Sequence, residues 1–275
     1  MPTNSLERAL VLLKVVERTP GGLRHAEIAR QLEIPKSTCT YILSRLEREG
    51  YLLRDEATGK FRIGLATVAL AYGALRETGI HSVAEPALYK LTQETGLSAG
   101  IGVLERGWVL LVDRVEGPGF VNRALEARPY RARSQRDVGR ELPVHSTALG
   151  KVLLAYLPKE QVRAVIAQRG LRRYTRKTNV SEARLLGELE AVRKQSFAVA
   201  DEEAYLDLRA LAAPVFDAAG AVRAAVSVNG SPKDPVWSDL DSLVALVQNA
   251  ARDISRRARL WSANLDATNF DATQS

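Results

Sequence analysis

The chain has 275 residues, 46% hydrophobic and 26% charged, which is enough apolar material for one large or two ordinary globular domains and too much for a disordered tail protein. A single cysteine, Cys39, excludes an intrachain disulfide and with it a secreted, disulfide-stapled fold, and the longest near-apolar run, Leu65 to Leu75, spans 11 residues where a bilayer needs ~20. The formal charge of +7 and the sequence pI near 9.6 favour acidic or polyanionic partners, nucleic acid first. Residues 1–75 hold 11 basic and 8 acidic side chains and residues 121–184 hold 15 and 5, so the excess is mid-chain and a nucleic-acid reading needs a motif. Glu7, Arg8 and Lys14 interrupt the apolar N-terminus, so no signal-peptide core is present and a cytoplasmic protein without a membrane partner is expected.

In chain order, Leu6, Ala9, Leu10, Leu13 and Val16 recur at helical spacing, with Ser5 as the expected N-cap and Pro20-Gly21-Gly22 as the stop. A short helix is expected over His25–Leu32. A third runs from about Lys36 to Arg48, with Pro35 at its N1 position and Gly50 as its left-handed stop. Tyr51–Arg54 and Phe61–Ile63 read as strands of a hairpin whose turn contains Gly59. Leu65, Val68, Ala69, Tyr72 and Leu75 then form one stripe on a helix over 65–78, and a further helix is expected at about Val83–Glu94.

From Ser98 the texture changes. Strand-like runs cover Ala99–Leu104, Trp108–Val115 and Phe120–Ala124, and helices follow over Ala148–Leu157, Glu160–Gln168 and about Glu182–Gln195. Leu208–Phe216 and Ala221–Asn229 are two more strands around the turn Asp217–Gly220, and a helix of about Leu240–Trp261 closes the pattern. The expected fold class is α+β. Its expected parts are a winged helix-turn-helix DNA-binding domain (1–64), a linker helix (65–80), an α+β domain (81–262), to which the resemblance given below assigns effector binding, and a flexible polar tail (263–275).

Three helices followed by a hairpin describe a winged helix-turn-helix, in which the third helix enters the DNA major groove and the hairpin touches the flanking backbone. In that third helix Cys39, Ile42, Leu43 and Leu46 make one apolar face. The other face carries Lys36, Ser37, Thr38, Thr40, Tyr41, Ser44 and Arg45, all able to bond phosphates or base edges, with no acid among them. Arg24, Arg54, Lys60 and Arg62 add cations at the hairpin.

The run "SLERALVLLKVVE", then "HAEIARQLEIPKSTCTYILSRLEREGYLLRD" and "GKFRIG", resembles the DNA-binding domain of IclR-type bacterial transcriptional regulators. "LPVHSTALGKVLLAYLP" (142–158) and "ADEEAYLDLRALAAPVFDAAGAVRAAVSVNG" (200–230) resemble that family's effector-domain motif and C-terminal signature, so the likeness covers nearly all of residues 5–260. "RYTRKT" (173–178) and "LRALAAPV" resemble the subgroup that senses aromatic hydroxy acids. The resemblance implies a GAF-like effector domain, a homodimer or dimer of dimers on a pseudo-palindromic operator, and a small organic acid as effector, held at Ser146, Thr147, Ala148, Leu149, Gly150, Asp201, Ala210, Ser227 and Asn229. Ser146 or Thr147 can cap the helix that starts near Ala148, leaving an anion site at its N-terminus, while Ser227 and Asn229, two apart on a strand, point to one side of the sheet. The chain departs from the family at Ala210, where a cysteine is frequent, and at Asp207, where glycine is usual.

An enzyme, a small-molecule hydrolase for instance, is the alternative class. It finds little support: His25, His81 and His145 are scattered, and no nucleophile elbow, P-loop or zinc-protease motif occurs. No cofactor and no metal are expected, since one Cys and three distant His supply no ligand set. The stripe from Leu65 to Leu75 is the expected dimer seam.

Overall fold

A computed structural model describes residues 4–118 and 138–258. It divides into two compact units, residues 1–74 and 75–275, so the division falls within the helix that follows the hairpin. The expected strand at Phe120–Ala124, the last residues of the final helix and the tail 263–275 lie outside the described residues.

The first unit contains α1 (Ser5–Glu17), β1 (Leu23–Arg24), α2 (His25–Gln31), α3 (Lys36–Arg48), β2 (Leu52–Arg54) and β3 (Lys60–Ile63). The strands form an antiparallel sheet in the order β1-β3-β2. Cys39, Ile42 and Leu43 of α3 are buried against Leu12, Val16, Ile28, Leu52 and Phe61, with Leu46 at the rim of that core. Two expected caps shift by one residue. Asn4, not Ser5, caps α1, because its side-chain oxygen is the one that reaches the Glu7 amide at 2.9 Å. Pro35 is the N-cap of α3 rather than N1, since its extended ψ of 144° places it just outside the helix.

Helix α4 (Ala66–Thr78) carries the unit boundary, and Gly79 at φ 62° breaks it from α5 (Ile80–Thr95). His81 therefore sits in the first turn of α5. Leu65, Val68 and Tyr72 of the stripe are exposed on the single chain, at 77%, 58% and 65%.

The second unit is built on a six-stranded antiparallel sheet of β4 (Ser98–Glu105), β5 (Trp108–Val115), β6 (Glu141–Leu142), β7 (Ala198–Asp201), β8 (Arg209–Phe216) and β9 (Val222–Gly230). Its order is β6-β5-β4-β9-β8-β7. One face packs on α5 and α9 (Leu240–Ala258) through Leu88, Leu91, Ile101, Val226, Val247 and Ile254. The other face packs on α6 (Ala148–Ala155), α7 (Lys159–Arg169) and α8 (Glu182–Gln195) through Val109, Leu149, Val152, Leu153, Val165 and Leu189. A short 3-10 turn, Pro235–Ser238, precedes α9. This antiparallel sheet with helices on both faces matches the expected α+β class.

A β-bulge sets the geometry of the second face. Ile101 pairs with Asp113 and the next residue, Gly102, pairs with Leu111, so Val112 is the extra residue on β5. Val112 packs with the α5 side and Leu111 with the α6 side. Past the bulge the alternation is reset, which turns Arg114 to the same side as Leu111.

Candidate functional site

In the first unit, Lys36, Ser37, Thr40, Tyr41, Ser44 and Arg45 are exposed and Thr38 is half-buried, so the acid-free face of α3 is open as the sequence predicted. The Arg45 guanidinium lies over the Tyr41 ring at 5.3 Å from its centre, which pre-orders both side chains. Thr40 donates its hydroxyl proton to the Lys36 carbonyl at 2.9 Å, and His25 Nε2 lies 2.9 Å from that hydroxyl oxygen. His25 thus ties the start of α2 to the first turn of α3. On the hairpin, Arg62 pairs with Asp55 at 3.2 Å and Arg24 Nε donates to the Thr58 carbonyl at 3.3 Å. Asp55 is itself held below the usual carboxylate range, first by the Thr58 hydroxyl.

The second unit has a cleft on the α6 face of its sheet. Cleft and open mouth together enclose about 690 Å³. Ser146, Thr147, Ala148, Leu149, Ala210, Ser227 and Asn229 all line it, so seven of the nine positions implied for the effector meet at one place. The other two do not line it. Asp201 follows Ala200 on β7, and strand alternation sends Ala200 into the cleft and Asp201 to the other side, where it pairs with Lys177 at 3.1 Å and Arg209 at 3.0 Å. Gly150 lies one residue too deep in α6. A Cβ there would sit 2.2 Å from the Val144 carbonyl oxygen, so its part is to let the helix start pack on the preceding strap.

The helix start carries a side-chain cap and a buried hydroxyl. Thr147 is the N-cap, its hydroxyl oxygen accepting from the Gly150 amide at 3.2 Å, while Ser146 is fully buried with no partner for its hydroxyl among the described residues. Across four strands the register aligns Arg114, Gly100, Ser227 and Ala212 in one row. Gly100 leaves that row low: a Cβ on it would lie 3.3 Å from Leu111 Cδ1.

Sequence reasoning missed the cleft's cations. Arg114 donates from Nη2 to Asn229 Oδ1 at 3.3 Å and lies 3.7 Å from Glu116. Burial draws its guanidinium below the usual arginine value, opposed by Glu116 and reinforced by Arg140. Arg140 donates to the Tyr205 hydroxyl at 3.0 Å and faces its ring at 5.6 Å, and among the described residues it pairs with no carboxylate. The only signal in the sequence for Arg140 was the basic segment 121–184, which does not say which arginine turns inward, and Arg114 lies outside that segment. Glu203 also lines the cleft, held by Lys151 at 2.6 Å.

The histidines have separate partners. His81 Nδ1 lies 2.8 Å from Asp113, and the buried His145 donates from Nε2 to the Arg172 carbonyl at 3.0 Å rather than to Ser146. Burial lowers the His145 pKa, disfavouring the charged ring. Among the described residues no group of three or more His, Cys, Asp or Glu side chains could hold a metal ion, and no helix is long and apolar enough to cross a membrane.

A winged helix-turn-helix joined to an α+β unit with a cation-lined cleft defines a ligand-responsive DNA-binding regulator. The family model for the IclR helix-turn-helix domain matches residues 5–56, and that for the bacterial transcriptional regulator IclR C-terminal domain matches residues 72–256. The chain is 29% identical over 251 residues to the HTH-type transcriptional repressor AllR of Salmonella paratyphi A, covering 91% of this chain and 88% of that protein. It is likewise 29% identical over 254 residues to the transcriptional repressor IclR of Escherichia coli K12, with 91% and 88% covered. Its fold matches a crystal structure of an IclR homolog complexed with 4-hydroxybenzoate from Microbacterium hydrocarbonoxydans, at a TM-score of 0.78 and 23% identity over 93% of this chain and 99% of that one. The chain belongs to the IclR family, whose members are transcriptional regulators and not enzymes.

Proposed function

We propose that the protein is a cytoplasmic regulator whose operator binding is modulated by a small organic acid of the hydroxybenzoate class, bound in the cleft of the second unit. The observation that carries this is that Arg114, Arg140 and the unpartnered Ser146 line one cleft with the capped start of α6, on a floor of small residues. Donors of this kind suit a carboxylate, and Leu111, Leu142 and Leu208 supply apolar wall for a ring. The 4-hydroxybenzoate named for the Microbacterium homolog belongs to the same chemical class. Calorimetry with 4-hydroxybenzoate gives saturable binding to the full chain, and Ser227→Ala weakens it by about 0.5–1.5 kcal/mol, one hydrogen bond, with operator affinity of the empty protein unchanged. Equal ligand affinity in the variant removes Ser227 from the site.

In the same reading, α3 enters the major groove of a pseudo-palindromic operator. Lys36, Ser37, Thr38, Thr40, Tyr41, Ser44 and Arg45 face the DNA, flanked by Arg24, Lys60 and Arg62. The exposed Leu65, Val68 and Tyr72 form the seam of the homodimer that presents two such helices, a mass that light scattering reads directly. Arg45→Ala costs about 1–3 kcal/mol at one base position and relaxes preference there. A uniform loss on specific and random duplexes would reduce Arg45 to a phosphate contact.

A further inference from the structure

Most polar groups around the cleft are donors or already serve as acceptors. Arg114 and Arg140 can only donate, the Asn229 side-chain oxygen accepts from Arg114, and the Tyr205 oxygen accepts from Arg140. Glu203 differs. Its Oε1 takes the Lys151 ammonium at 2.6 Å, and its Oε2 is buried with no hydrogen-bond partner among the described residues. Lys151 cannot serve Glu203 alone, since it also pairs with Glu188 at 2.9 Å. One buried cation is therefore shared by two carboxylates, and one of them borders the cleft with an acceptor to spare.

We propose that Glu203 reads a hydrogen-bond donor on the effector, so that the ligand is an acid bearing a hydroxyl or amino group remote from its carboxylate. This deepens the organic-acid reading above and rests on it. Two physical points support it. Burial raises the Glu203 carboxyl above its usual range, with Lys151 opposing, and a carboxylate poorly served by solvent gains most from a donor brought to it. A buried acceptor left empty also penalises any analogue without the donor, which makes selectivity larger than affinity alone would suggest. The cleft then recognises its ligand by two opposite requirements: donors for the carboxylate, and an acceptor for the second group.

The test is binding of the full chain to 4-hydroxybenzoate, 4-methoxybenzoate and benzoate, with 5-hydroxypentanoate and pentanoate as an aliphatic pair. Wild type is expected to prefer each hydroxy acid over its unsubstituted partner by about tenfold or more, and to reject the methoxy ether, which cannot donate. Glu203→Gln keeps its amide oxygen toward Lys151 and offers the amide N–H₂ to the cleft. It should therefore lose the preference for the hydroxyl over the ether, because a hydroxyl and an ether oxygen both accept from the amide, a change that a merely structural role for Glu203 would not produce. The wild-type ratios need no variant, so the test survives if Glu203→Gln fails to fold. Wild type that binds hydroxylated and plain acids alike overturns the Glu203 assignment alone. Binding only in the aliphatic pair, with the hydroxyl preferred, overturns the aromatic ligand class and keeps Glu203 as its reader. Binding of none of the five overturns both.

Discussion

Gly150→Ala should lose about 3 kcal/mol of stability in the second unit and abolish ligand binding, although alanine is the better helix former. Replacing a helical glycine by alanine ordinarily gains about 1 kcal/mol. Here the new methyl would lie 2.2 Å from the Val144 carbonyl oxygen, 2.4 Å from its Cα and 2.6 Å from its carbonyl carbon, all backbone atoms that no rotamer change can move aside. The start of α6 must back away from the strap, which opens the Leu149, Val152 and Leu153 packing and displaces the Thr147 cap and Ser146 together. Gly187, inside α8 with nothing within 4 Å of its added Cβ, is the control. Gly187→Ala should stabilise by about 0.5–1 kcal/mol. All three tryptophans lie beyond residue 75, so intrinsic fluorescence in a urea titration follows the second unit. A Gly150→Ala protein as stable as wild type would mean that the strap yields freely and the anion site is not pre-formed.

The contrast between these glycines also shows what the sequence discloses and what it withholds. Helix α3 was legible because its determinants are local: Cys39, Ile42 and Leu43 recur at helical spacing and the same spacing assigns the opposite face. Thr147 and the pair Ser227 and Asn229 were legible for the same reason, one a cap beside an apolar run and the other an alternation within one strand. The two-residue strand β1 was not, since it exists only by pairing Leu23 and Arg24 with Phe61 and Lys60, far along the chain. Neither was Arg114. Plain alternation along β5 puts Leu111 and Arg114 on opposite faces, and only the bulge at Val112 brings both to the cleft. Arg140, Glu203 and Tyr205 come from connections whose meeting depends on the strand order of the whole sheet. Asp201 fails by one step of the same parity, Ala200 being the residue that turns inward.

Lys151→Met should be among the most costly single substitutions in the second unit that leave the backbone unstrained. The lysine side chain is 5% exposed between Glu203, 12% exposed, and Glu188, 41% exposed. Removing a buried cation strands its partners at about 3–5 kcal/mol. Most of that falls on Glu203, because water screens the more exposed Glu188. The pH dependence follows from the sign of the shift. Without Lys151, burial and the neighbouring Glu188 both push the Glu203 carboxyl further up, so the folded chain holds its proton to higher pH than the unfolded chain does, and stability falls as pH rises through that interval. The penalty should therefore be complete only above the raised folded value and should shrink as pH falls to about 4 and below, where the carboxyl is protonated in both states. Adding Glu203→Gln to Lys151→Met removes the stranded charge and should recover more than half of the loss. A penalty independent of pH, or a double variant no better than the single one, would assign the cost to lost packing of the lysine's methylene chain instead of to its charge.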